Sequence, residues 1–137
     1  MRPYDSLSVP AQARRMRRVA ENALPRFGFA SSTPLAFLQH GENTTFRIDD
    51  PRRGSHLLRI HRGGYHTDAE IRSELAWLTA IAEDAAVVAP VPVTGIDGTS
   101  VQDASGRGVP GRRAVTVTRW VPGRFRLVAG CVASHRR

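Results

Sequence analysis

The sequence contains no lysine; all 20 of its basic residues are arginine. Any task that chemistry usually gives to an ammonium group falls here to a guanidinium, a planar fork of donors with a different reach. Against 12 acidic residues this gives a formal charge of +8. The missing lysine beside abundant Ala, Val and Gly reads as the codon bias of a GC-rich genome, so the charge by itself argues little for nucleic acid. A single cysteine, Cys131, excludes a disulfide scaffold and a zinc site built on several thiolates, and it points to a reducing cytoplasm. No apolar run approaches the ~20 residues that a membrane span requires, and the opening MRPYDSLSVP has no apolar signal core. Aromatic residues are scarce at 7%, too few to read as a stacking platform for bases.

What is present suits one α+β domain of 137 residues with a modest core. Residues 8–24 read as a helix: Met16, Val19, Ala20, Ala23 and Leu24 recur at three-and-four spacing, with Arg14, Arg15, Arg17 and Arg18 on the other side. Pro25 and Gly28 stop it. From Pro34 the period becomes two, and Leu35–Gln39, Thr44–Ile48 and His56–His61 read as three strands of an antiparallel meander separated by turn formers. Thr67-Asp68-Ala69-Glu70 is a capping box opening a second helix to about Asp84, with a stripe of Ile71, Leu75, Leu78, Ile81 and Ala82. Val91–Ile96, a turn at Asp97-Gly98, a short strand near Thr99–Gln102, a glycine-rich loop and a strand Arg113–Trp120 complete the pattern, which Pro122-Gly123 ends. The expected fold is a five-stranded antiparallel sheet with one inserted helix, plus an N-terminal helix. The expected organisation is a lead-in over 1–30, a core lobe over 31–120 and a tail over 121–137.

Two residues carry the chemical argument. On the second helix, ~100° per residue places Glu74 between Leu78 and Ile81, inside the apolar face. A carboxylate there asks for a cation, because a buried unpaired charge is costly. Strand alternation puts Leu57, Arg59 and His61 on one face of the third strand and His56, Leu58 and Ile60 on the other. Arg59, a single cation among apolar neighbours, can bridge to Glu74 and still present charge to a phosphate. The turn Gly41-Glu42-Asn43-Thr44-Thr45 offers backbone N–H groups and small hydroxyls to phosphate oxygens, without a G-x-G-x-x-G or Walker A pattern. The five histidines form no ligand set and no Ser–His–Asp assignment holds, which excludes metal-hydrolase and triad readings.

The strings G-E-N-T-T-F-R-I (41–48), L-L-R-I-H-R (57–62), E-I-R-S-E-L-A-W-L (70–78), V-A-P-V-P-V (88–93) and R-W-V-P-G-R (119–124), in that order and spacing, resemble the N-terminal lobe of the aminoglycoside phosphotransferase and type II homoserine kinase-like superfamily. The resemblance covers about Leu35 to Arg124. It implies a nucleotide-binding lobe that uses ATP, with Mg2+ in the complete family enzyme, to phosphorylate a hydroxyl on a small molecule or protein. Gly41, Asn43 and Thr44 would lie over the phosphates. Arg59 would replace the phosphate-contacting strand lysine, with Glu74 as its helix partner. Leu57 would roof the adenine, and backbone groups of Arg119 and Val121 would bond its edge. Phosphoryl transfer rests on positioning and on neutralising oxygen charge, tasks an arginine can perform. The family's catalytic aspartate belongs to an H-G-D-x-x-x-x-N loop, and no H-G-D occurs here. A truncated, catalytically incomplete fragment is therefore expected, with no catalytic or metal-binding residue of its own. The competing reading is an Arg-rich module for RNA or another polyanion, built on Arg14, Arg15, Arg17, Arg18 and the loop arginines.

Overall fold

The computed structural model describes residues 2–63, 67–84 and 89–121. Helix α1 spans Val9–Ala23; Ser8 caps it by accepting from the Ala11 N–H at 3.4 Å, and Pro10 occupies its first turn, where a missing N–H costs nothing. A 3-10 turn, Leu24–Phe27, ends at Gly28, whose φ of 83° is a left-handed geometry that suits a residue without Cβ. Five strands follow: β1 (Leu35–His40), β2 (Thr44–Asp50), β3 (Gly54–Ile60), β4 (Gln102–Ala104) and β5 (Arg113–Arg119), with helix α2 (Asp68–Ala82) between β3 and β4. They form one antiparallel sheet in the order β1-β2-β3-β5-β4. Both helices and three strands fall where the period of the apolar residues put them.

The second half departs in detail. Val91–Ile96 makes only an isolated bridge, Pro92 to Thr118. The N–H of Val93 still donates to the Val117 carbonyl and that of Arg119 to Val91, each at 2.8 Å, so this segment seals the end of the β5 edge that β4 leaves open. The short strand begins at Gln102 rather than near Thr99. Thr99 is held in the Asp97-Gly98 turn, where Asp97 accepts from the Thr99 N–H and hydroxyl and from Gln102 Nε2. These donors hold the Asp97 carboxyl below its ordinary range. The closing Pro122-Gly123 and the tail Phe125–Arg137, with Cys131, lie outside the described residues.

Register sorts the side chains. Thr44 opposite Ile60, Phe46 opposite Leu58 and Ile48 opposite His56 lie on one face of β2–β3, and Val115 and Val117 continue it on β5. Against this face α1 lays Met16, Val19, Ala20 and Ala23, with Tyr4, Leu24, Phe27 and Phe29 closing the same core. Residues 1–30 are therefore joined to the lobe through its main core. The β4–β5 loop also grips α1: Asn22 Nδ2 donates to the Ser105 carbonyl at 2.8 Å, and a Cβ at Gly106 would lie 2.9 Å from Val19.

The opposite face carries α2. Its capping box is complete, with Thr67 Oγ1 accepting from the Glu70 N–H and Glu70 accepting from the Thr67 N–H. Only Ile71, Leu75 and Leu78 are buried, in a small separate cluster with Val101 and Ala114; Ile81 and Ala82 stay at the margin. A helix with so few apolar anchors opens locally at low cost. Native-state hydrogen exchange is expected to show weaker protection in α2 than in α1. Thr67→Ala, which removes the cap, should weaken α2 protection by a further ~1 kcal/mol and leave α1 unchanged.

Candidate functional site

β3 and α2 bring the two chosen charges together. Arg59 Nη1 lies 3.6 Å from Glu74 Oε2, on the sheet face away from α1. The Arg59 side chain is 21% exposed and that of Glu74 is 45% exposed. Glu74 is thus not buried within the apolar stripe but stands at its edge, reaching inward to the guanidinium while keeping water on its other side. Burial pushes the Arg59 guanidinium down from its usual range, and the Glu74 charge pulls it back up. At 3.6 Å the pair is an ion contact without a short hydrogen bond. Most of the Arg59 N–H donors therefore stay available to an anion.

Alternation places Thr45 opposite Arg59 on β2, and Leu57 beside Thr118 and Arg47 on the same face. Arg47 is held by Asp49 at 3.0 Å and lies over the Trp120 ring at 5.7 Å. The Thr118 hydroxyl is buried and has no hydrogen-bond partner among the described residues, an unmet polar group on this face next to Leu57. Sequence reasoning placed Thr45 only in the turn and missed Thr116 and Thr118; counting in twos from Arg59 across the ladder puts all three on this face.

Other expected residues are placed differently. Gly41, exposed, and Asn43, half-buried, lie in the β1–β2 turn, where the Gly41 N–H donates to the Asn43 carbonyl at 3.0 Å and Asn43 Oδ1 accepts from the Arg62 N–H at 3.3 Å. Thr44, 2% exposed, turns its hydroxyl to the α1 face, where it meets His40 Nδ1 at 2.6 Å. The strand begins at Thr44, so its side chain belongs to the core face and the small hydroxyl on the Arg59 face is that of Thr45. Arg119 has committed its N–H to the Val91 carbonyl, and Val121 is buried. Leu57 is buried as well. Arg59, Glu74, Leu57 and Thr45 are therefore the residues that the fold gathers, with the Gly41–Asn43 turn at the end of the same strands.

Two of the N-terminal arginines are structural. Arg15 donates to the carbonyls of Arg2 and Gly108, and Arg17 donates to the Leu35 carbonyl while covering the Phe46 ring. The contiguous basic face expected over 14–18 is thus halved. Among the described residues no group of three or more His, Cys, Asp or Glu is arranged to hold a metal ion, and no helix is long and apolar enough to cross a membrane.

The histidines act on stability. His56 is buried, edge-on to Phe29 at 5.2 Å, and His40 is held between Thr44 and Gln12; burial lowers both from the ordinary 6.5. A lowered pKa means that the unfolded chain binds more protons, so their contribution is intact above about pH 6.5 and declines as pH falls from there through the folded values. Urea midpoints are expected to drop between pH 7.5 and pH 5, and the drop should shrink in His56→Gln.

A five-stranded antiparallel sheet with a helix inserted after β3, and a strand cation facing a helix carboxylate, defines the N-terminal lobe of a kinase-like fold. The chain belongs to the phosphotransferase enzyme family, whose sequence profile matches residues 35–135. No curated protein matches it. Among solved structures it is similar to a microcompartment-associated aminopropanol kinase, with 32% identity, a TM-score of 0.67 and coverage of 77% of this chain and 31% of that one. It also shares its fold with an amicoumacin kinase in complex with AMP-PNP and Ca2+, at 22% identity and a TM-score of 0.55 over 66% of this chain and 26% of that one. The chain thus spans about a third or less of the length of these structures.

Proposed function

We propose that this chain is the nucleotide-binding lobe of a cytoplasmic ATP-dependent phosphotransferase that acts on a hydroxyl substrate. The observation that carries the reading is the Arg59–Glu74 contact: a guanidinium fixed mid-sheet by a carboxylate from the next helix, with donors left over. In this reading Arg59 neutralises phosphate oxygens, Glu74 orients it, and the Gly41–Asn43 turn and Thr45 lie along the phosphates. The unmet Thr118 hydroxyl supports a polar ligand on this face. ATP, when bound, would supply the phosphoryl group and Mg2+ the charge that neutralises its oxygens, while the residues of this lobe would bind and orient. The sequence holds no H-G-D, so these 137 residues are proposed to lack the general base and to be catalytically incomplete by themselves.

The test is titration of the purified chain with AMP-PNP and Mg2+ by calorimetry. Weak binding, reduced by Glu74→Gln, supports the reading, as does the absence of phosphoryl transfer to hydroxyl substrates. No detectable nucleotide binding, or turnover by the chain alone, would overturn it.

A further inference from the structure

A concavity opens at the end of the sheet where the β1–β2 turn meets the N-terminal segment, on the α1 side. Its volume is about 490 Å³, the size of a small-ligand pocket. Tyr4, Asp5, His40, Glu42, Arg62 and Arg113 line it. Neither Arg59 nor Glu74 does.

Three of its charges, those of Arg113, Asp5 and Glu42, are not matched among the described residues. Among the described residues there are five half-buried arginines, and four meet a good acceptor or counter-ion: Arg15 and Arg17 meet carbonyls, Arg47 and Arg59 meet carboxylates. Arg113 is the exception. Its Nε makes a 3.5 Å contact with the Pro110 carbonyl and its guanidinium stands 5.7 Å from the Tyr4 ring centroid, while neither Nη atom has an acceptor among the described residues. Asp5 and Glu42 line the same space, and among the described residues neither accepts a hydrogen bond nor forms an ion pair. The uncompensated Arg113 charge is felt by its neighbours, since together with burial it holds the His40 imidazole low. His40 is therefore neutral at pH 7 and already bonded at both nitrogens, to Thr44 and to Gln12.

Among the described residues, a guanidinium without an anion and two carboxylates without a cation thus face one space without touching. A polyanion entering it meets the carboxylates, and a simple cation meets Arg113. We infer that the cavity is a binding site for a small zwitterion, a molecule carrying a carboxylate and an ammonium group as an amino acid does. The carboxylate takes the two free Nη atoms of Arg113, the bidentate geometry a guanidinium favours, and the ammonium turns to Asp5 and Glu42. Glu42 sits in the β1–β2 turn, and the His40–Thr44 contact closes the base of that turn. Occupancy therefore bears on the turn assigned to the phosphates, a consequence that rests on the proposed function, whereas the binding itself does not.

The test is an NMR titration of the 15N-labelled chain with L-alanine, with propionate and ethylammonium as matched molecules lacking one charge each. Alanine is expected to shift the amides of His40, Gly41 and Glu42 and to bind at least about tenfold more tightly than either control, the difference one charge-assisted hydrogen-bonded contact makes. Arg113→Ala should cost alanine a similar factor. Glu42→Gln, an exposed turn substitution that leaves the core untouched, should weaken alanine but not propionate. Absence of shifts with alanine at high millimolar concentration, equal binding of all three molecules, or indifference to Arg113→Ala would overturn the assignment. Nucleotide binding is measured in a separate arm. Alanine binding without AMP-PNP binding sinks the kinase-lobe reading and keeps the cavity, and the reverse sinks the cavity alone.

Discussion

Phe46→Ala is expected to lower the stability of this chain by about 3–5 kcal/mol, enough to leave a small domain largely unfolded at 25 °C. Phe46 is fully buried at the centre of β2, opposite Leu58 on β3. Its ring stands edge-on to Phe37 at 5.9 Å, and the Arg17 guanidinium lies 5.3 Å from its centroid. The substitution removes the side chain on which β1, β2 and α1 converge, and the sheet cannot collapse into the gap without breaking its register with β3. Chemical denaturation monitored by circular dichroism measures the loss. Leu75→Ala, in the small α2 cluster, should cost less, because Leu75 touches a thinner layer and keeps some exposure. A Phe46→Ala chain of near-native stability would mean that the β2–α1 core does not hold the fold.

Arg59→Ala is expected to reduce nucleotide affinity by about 10- to 100-fold, the worth of a charge-assisted contact to a phosphate oxygen, with little change in stability. The two effects separate because of where the pair sits. The Glu74 side chain is 45% exposed, so losing its partner leaves a carboxylate that water can solvate, and the ion contact itself contributes about 0–1 kcal/mol. Arg59→Lys should recover much of the affinity, since an ammonium supplies the same charge with a different reach. Glu74→Gln should weaken binding less than Arg59→Ala, because it frees the guanidinium without removing it. Calorimetry with AMP-PNP and Mg2+ reads the affinities, and melting curves on the same samples read the stability. Equal affinity in wild type and Arg59→Ala would remove this arginine from any role at a phosphate.

Much of the architecture could be read from local pattern. The three-and-four spacing of Met16, Val19, Ala20 and Ala23 located α1, and the Thr67–Glu70 box located the start of α2, because both signals are written within one turn of chain. The alternation of Leu57, Arg59 and His61 against Leu58 and Ile60 gave β3 its two faces. Val91–Ile96 was harder, since a segment that carries a proline pairs only where its partner happens to lie. The face of Thr44 was not legible in the turn, because the first residue of a strand takes its face from the register of its neighbours, which a turn sequence does not state.

The sequence by itself determined the elements, their order, the family and the identity of the two opposite charges on β3 and α2. Periodicity, caps and motif spacing are properties of neighbours along the chain, so no tertiary information is needed to see them. Only the tertiary structure decided that Arg59 meets Glu74 at a half-wet edge rather than in the core, that Arg15 and Arg17 serve the fold, and that Arg113, beside Asp5 and Glu42, has no anion among the described residues. The strength and availability of a charge depend on what lies within a few ångströms across space. That distance is set by register and by the packing of helices on the two sheet faces.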